Sequence, residues 1–277
     1  MDPEAKPVPM IDPVHRFVLF TNGKCGGTTL KTWFFANLDL AGLERNPLAL
    51  ARAFGPAYAW RHYRAGRRIL PRGARLHEVE AIRRFTNFYR RAYCTPALAR
   101  DAARGFYAFA VVRHPEDRVV SGYVDKICGE DRNEPWVRNV VSRGGGAISF
   151  NEFLDYLEFA DEAVCDPHWR RQTYIFGDRR LDAFVRLEHL EEDFRKIARR
   201  VGDARGVFDD KRQSNRYDPA LMAAAMAADA PSMSSDQVIA WAAEHGAFPP
   251  KEAFLTEPVR ARIRRIYARD FDLLPYD

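Results

Sequence analysis

The sequence predicts a three-layer α/β domain in which a parallel sheet is flanked by helices, and three observations carry that prediction. Short, nearly all-apolar runs stand at "RFVLFTN" (16–22), "FYAFAVV" (106–112) and "DAFVRLEHL" (182–190). Each is followed by a segment whose apolar residues recur at helical spacing. The runs are apolar at consecutive rather than alternate positions, as a sheet covered on both faces requires.

Taken in order, residues 1–15 are acidic and proline-rich and read as a flexible leader, leaving 16–277 as a single domain. Strand one spans 16–22. After the glycines of "GKCGGTTLK", Leu30, Trp33, Phe34 and Leu38 place a helix beginning near Thr28. Residues 45–104 read as mostly helical, broken at "GPA", "RAGRR" and "LPRGA". Strand two follows at 106–112. "RHPEDRVVSGYVDKI" then opens a helix, with Pro115 suited to its first turn and Val119, Val120, Tyr123 and Ile127 as its buried stripe. "DAFVRLEHL" forms strand three and feeds the helix "EEDFRKIARRV". The remainder reads as helices and loops.

Composition narrows the function. With 47% apolar and 13% aromatic residues in 277, the chain can bury a large core. No apolar run approaches the ~20 residues that span a bilayer. The N-terminus lacks the basic, apolar start of a signal peptide, so a soluble, cytoplasmic protein is expected. The four cysteines, Cys25, Cys94, Cys128 and Cys165, contain no C-x-x-C pair, and neither a zinc site nor a disulfide framework is expected. The net charge is +5, but residues 45–104 hold fourteen arginines against Glu78, Glu80 and Asp101, a segment of +11. Such a block suits an anionic ligand or a solvated helical surface.

Two segments carry the chemistry. In "GKCGGTTLK" (23–31) the free amides of a helix N-terminus, Lys24, and the hydroxyls of Thr28 and Thr29 make a cradle for an anion. It departs from the nucleotide loop G-x-x-x-x-G-K-[ST], because Val18 replaces the first glycine and Cys25 follows the lysine. In "VVRHPEDRVVSGY", Arg113 stands at the carboxyl end of a strand, with Ser121 in the next helix. Ligands of open α/β sheets bind beyond the strands' carboxyl ends, so both segments are expected to face one crevice. A nucleotide with a 5′ chain and a separate 3′-phosphate fits that pair.

The pair resembles the sulfotransferases that use 3′-phosphoadenosine 5′-phosphosulfate (PAPS), in particular the carbohydrate O-sulfotransferases. Lys24, Thr28 and Lys31 match a 5′ loop K-x-x-x-T-x-x-K. Arg113, Pro115, Arg118, Ser121 and Tyr123 match a 3′-phosphate motif R-x-P-x-x-R-x-x-S-x-Y. "DPHWRRQ" (166–172) is similar to H-W-x-P-Q, with Arg171 in place of the proline, and "FVRLEHLEEDF", "KRQSNRY" and the closing "RRIYARDFDLLPY" follow in family order. Residues 45–104 match nothing in the resemblance.

The resemblance implies a P-loop-like fold and metal-independent sulfuryl transfer from PAPS to an acceptor hydroxyl, with a hydroxylated, possibly anionic saccharide as acceptor. Lys24 would meet the bridging oxygen as PAP departs. Cys25, Gly26, Gly27, Thr28 and Thr29 would hold the 5′-phosphate, Arg113 and Ser121 the 3′-phosphate, and Ser214 and Arg216 would close over it. A general base is also needed, since a hydroxyl ionises far above neutrality. His77 is the expected base, by its place between the two donor motifs, with Glu78, His62 and His168 as the next candidates for that role and as acceptor-binding residues. Arg118 is expected at the surface or in an ion pair, Trp33 and Trp169 in the core, and Glu188 and Asp193 as supporting carboxylates. Two other classes compete. A P-loop kinase would need an acidic ligand for Mg²⁺ beside a Lys-Ser or Lys-Thr pair, and a nucleic-acid binder would need a recognition motif beside the arginine block. Neither feature is evident, and no nucleic acid or metal is expected.

Overall fold

Four strands form one sheet in the order β1 (Met10–Asp12), β2 (Phe17–Thr21), β3 (Tyr107–Val112) and β4 (Ala183–Arg186). The structure, a computed structural model, describes residues 9–43, 46–69, 78–94, 96–129, 137, 140–142, 146–163, 165–202 and 219–276. β2, β3 and β4 run parallel, with Leu19 opposite Phe109 and Phe109 opposite Ala183. β1 is antiparallel to β2, pairing Met10 with Leu19 and Asp12 with Phe17, so the sheet is mixed rather than wholly parallel.

That edge strand corrects the expected leader. Met10, Ile11 and Asp12 are buried, and the Asp12 carboxylate accepts from the Val14 and His15 amides at 2.8 Å each, closing a tight turn into β2. The "DP" at 12–13 is the turn signal; three residues of strand before it are too short to show a period.

The helices are α1 (Gly27–Asn37), α2 (Pro47–Phe54), α3 (Pro56–Ile69), α4 (Glu78–Tyr93), α5 (Pro96–Gly105), α6 (Pro115–Gly122), α7 (Phe150–Phe159), α8 (Leu190–Val201), α9 (Pro219–Ala227), α10 (Ser235–His245), α11 (Lys251–Phe254), α12 (Glu257–Ile266) and α13 (Ala268–Leu273). Gly55 separates α2 from α3, whereas α3 runs through the expected break at "RAGRR". "LPRGA" lies outside the described residues.

Strand side chains alternate between two cores. Phe17, Leu19, Phe109, Val111 and Val185 pack with Leu30, Trp33 and Phe34 of α1, Phe85 and Tyr89 of α4, and Phe194 of α8. Val18, Phe20, Ala108, Ala110 and Val112 pack on the other face with Ala102 of α5, Ile175, Phe176 and Leu274. A third cluster joins Val119, Val120, Tyr123 and Ile127 to α7, Trp169 and the helices from α9 to α12. Trp33 and Trp169 are core residues, as expected. α6 ends in a wider π turn, Tyr123–Ile127, fixed by the Tyr123 hydroxyl donating to the Ile148 carbonyl at 2.8 Å. Such turns recur where a helix must re-aim side chains at a site.

Candidate functional site

The loop between β2 and α1 is bent into a left-handed path. Lys24 has φ 64° and Gly26 φ 69°. For a lysine that conformation costs on the order of 1 kcal/mol, and it persists because neighbours over-determine it. A side chain at Gly26 would be strained and would collide with Leu187. α1 starts with no side-chain cap, leaving its first amides for a ligand, and Thr28 is exposed at this end. The Lys24 ammonium lies 3.1 Å from Asp125 of the π turn, and Lys126 meets the same carboxylate at 2.8 Å. Burial lowers the Lys24 pKa, while Asp125 opposes that shift. Burial in turn opposes the ionisation of Asp125, but Lys126 and Lys24 hold its pKa below the ordinary value.

Two buried residues bind this loop to the second motif. Gln172, fully buried, accepts at Oε1 from the Arg113 amide (2.9 Å) and the Cys25 thiol (3.2 Å), and its Nε2 donates to the Arg113 carbonyl (2.7 Å). Its own amide donates to Asp270 at 2.8 Å, and Asp270 also accepts from the amide and hydroxyl of Thr173. The Arg113 guanidinium reaches the Lys24 carbonyl at 3.4 Å. The two motifs therefore stand side by side at the carboxyl ends of β2 and β3. Arg118 completes the frame and corrects the expectation of a surface position. It is 1% exposed and donates to the carbonyls of Gly23 (3.0 Å), Arg170 (2.8 Å) and Pro167 (2.7 Å).

A model described as "Sulfotransferase family" matches residues 9–277. The chain belongs to the sulfotransferase family. Among curated proteins it is similar to carbohydrate sulfotransferase 10 of Homo sapiens and of Pongo abelii, each 26% identical over 113 residues, 37% of this chain and 28% of the relative. The Xenopus laevis protein of that name is 24% identical over 152 residues, 46% of this chain and 40% of the relative. The chain thus spans less than half the length of the curated relatives it matches. No solved structure gives a significant match.

Within this chain the expected donor residues divide by what the fold does with them. Arg113 and the loop from Lys24 to Thr29 converge. Ser121 is half-buried on α6, and its hydroxyl has no hydrogen-bond partner among the described residues. The Cys25 side chain is turned away into a buried contact with Gln172, and burial raises its thiol pKa to about 11, so only its backbone can serve a ligand. Ser214, Arg216 and His77 lie outside the described residues. His62 lies on α3 and Glu78 opens α4, and their side chains are outside the described set.

His168 is brought to the donor loop. A Cβ on Gly23 would stand 2.9 Å from the His168 Cα and from the Pro167 carbonyl oxygen, so only glycine allows this approach. Glu188 is a support, as expected: it accepts from the His114 amide (2.9 Å) and the Tyr276 hydroxyl (2.8 Å) beside a cleft of 360 Å³ past β3 and β4. Asp193 is likewise a support, held by Arg186 at 2.9 and 3.1 Å.

Lys31 and the α4 arginines form a second cationic group. Burial, then Arg90 and Arg83, lower Lys31 to about 8, and the buried Arg90 Nε has no hydrogen-bond partner among the described residues. No group of three or more His, Cys, Asp or Glu side chains able to hold a metal occurs among the described residues. No described helix is long and apolar enough to cross a membrane.

Sequence reasoning missed Gln172 and Arg118 as organisers of the site. Both lie in segments that carry the family resemblance, but their work is done on backbone atoms of other segments.

Proposed function

We propose that this chain transfers the sulfuryl group of PAPS to a hydroxyl of a saccharide or glycoconjugate, in line and without a metal. The observation that carries the reading is the convergence of Lys24, the uncapped start of α1 and the Arg113 guanidinium on one crevice, tied together through Gln172. These are cations and amide donors of the kind that would hold the anionic groups of one ligand. The amides from Gly26 to Thr29 would hold the 5′-phosphate, Arg113 and Ser121 the 3′-phosphate. Lys24 would leave Asp125 to meet the bridging oxygen, where negative charge grows as the sulfur–oxygen bond breaks. Sulfuryl transfer resembles phosphoryl transfer in relying on positioning and on charge placed in advance. The saccharide acceptor rests on the name of the relatives and on the basic segment at 45–104. Arg83 and Arg90 of that segment lie near enough to lower the Lys31 pKa, so the segment's positive charge reaches α1.

The test is thermal shift with PAP, with ATP plus Mg²⁺, and with an oligonucleotide. PAP alone should stabilise the protein. Mass spectrometry of a saccharide extract incubated with protein and PAPS should then show a gain of SO₃. Stabilisation by ATP only with Mg²⁺, and none by PAP, would replace this reading with a kinase.

A further inference from the structure

The backbone at Arg113 and His114 is held from two sides by one distant segment, 270–276. On the first side Gln172 takes both backbone polar groups of Arg113, and its own amide donates to Asp270. On the second, Glu188 accepts from the His114 amide at Oε1 (2.9 Å) and from the Tyr276 hydroxyl at Oε2 (2.8 Å). The His114 ring meets the Phe271 ring at 5.8 Å and the Tyr276 ring at 5.1 Å, both edge-on. The Arg113 guanidinium itself has no carboxylate partner among the described residues; its hydrogen bond there is to the Lys24 carbonyl, at 3.4 Å. Its charge is therefore left for a ligand.

Glu188 is the carboxylate that borders this charge. It bonds the amide of the residue next to Arg113, and one buried atom feels both groups: after burial, Arg118 and Arg113 lower the Cys25 thiol pKa and Glu188 raises it. An ionised carboxylate only accepts, and here each oxygen already has a donor. Burial, then Glu188 itself, raise the Tyr276 pKa, so the hydroxyl keeps its proton and remains that donor. A carboxylate with an oxygen to spare beside a guanidinium pairs with it, and such a pair cancels the charge that a phosphate needs. We propose that Tyr276, by engaging Glu188, keeps the Arg113 guanidinium available to the 3′-phosphate of the donor; the inference rests on the PAPS reading above. Tyr276 acts through Glu188 and is a positioning residue.

The test is PAP affinity, measured by calorimetry on the full chain. Tyr276→Phe keeps the ring against His114 and removes only the hydroxyl; it should weaken PAP binding about fivefold, the effect of one hydrogen bond. Adding Glu188→Gln to that variant should return affinity to within about twofold of wild type, because a neutral amide still accepts from the His114 amide and forms no ion pair with Arg113. In an Arg113→Ala background, Tyr276→Phe should change PAP affinity by less than about twofold, since the two residues act as one unit. A merely structural Tyr276 would give a loss that Glu188→Gln does not repair and that persists without Arg113. Wild-type affinity in Tyr276→Phe, a loss left unrepaired, or a loss that persists in the Arg113→Ala background would each overturn the proposal and leave the donor reading intact. A wild-type protein that does not bind PAP would overturn both.

Discussion

Replacing Arg118 by methionine should destabilise the protein and disorganise the donor loop together. The guanidinium is 1% exposed and its three hydrogen bonds end on the carbonyls of Gly23, Arg170 and Pro167. A hydrogen bond to a charged group contributes about 1.5–3 kcal/mol, so three of them set a gross figure near 6 kcal/mol. Desolvation of the guanidinium offsets part of that figure, and methionine recovers packing along the stem. Three carbonyls left without a donor keep the net loss at about 4 kcal/mol, a large share of the 5–15 kcal/mol that holds a domain together. Urea unfolding measures the loss directly, with an unchanged slope marking a true change in stability. Because Gly23 adjoins Lys24, PAP affinity of the folded fraction should fall as well. Arg118→Lys, which supplies a single ammonium, should lose less in both assays. A methionine variant within about 1 kcal/mol of wild type that binds PAP normally would refute this account, since it would mean the three carbonyls find other donors.

Three further outcomes follow from the same geometry. Arg113→Ala should weaken PAP binding by about 1.5–3 kcal/mol in calorimetry, while adenosine 5′-phosphosulfate, which lacks the 3′-phosphate, should bind variant and wild type alike. Transfer activity should survive EDTA, because Lys24, Arg113 and helix-end amides supply the positive charge; activity lost to EDTA and restored by Mg²⁺ would favour the kinase. The KM for an anionic saccharide should rise with salt, because screening shortens to ~10 Å at 0.1 M and the arginine block at 45–104 would act through charge; a KM indifferent to ionic strength would remove that block from the acceptor site.

The strands, and the side-by-side placement of the two motifs proposed for the donor, were legible in the sequence for different reasons. β2 and β3 are apolar on both faces because both faces are covered, which leaves an unbroken run that composition alone reveals. The adjacency of the Lys24–Thr28 loop and Arg113 was legible because both stand at the carboxyl ends of neighbouring strands. β1 was not, because three residues at a sheet edge carry no period and the preceding prolines suggest a tail. Arg118 is expected at the surface or in an ion pair because buried arginines are uncommon, and the pattern that shows otherwise lies across long sequence separations. Its acceptors are backbone carbonyls at 23, 167 and 170, and a carbonyl has no signature in sequence. Gln172 escaped for the same reason: it works on the Arg113 backbone and the Cys25 thiol.

The placement of Asp125 bears on why a loop so rich in positive charge is stable before any ligand arrives. Lys126 and Arg113 both disfavour the charged form of Lys24, after burial itself, and a cluster of like charges opposes its own folding. Asp125, delivered by the π turn rather than by the regular part of α6, gives Lys24 a counter-charge at 3.1 Å. Its carboxylate is shared with Lys126, so it has a second partner when Lys24 departs. An anion seated on the start of α1 can therefore take over Lys24 without leaving Asp125 alone, and the exchange costs less than breaking an isolated pair. The backbone beneath, held by Arg118 and Gln172, need not move for that exchange. On the proposed reading, a rigid carbonyl-and-amide frame with one lysine able to exchange partners places the charge in advance and leaves only the ammonium to follow the reacting oxygen.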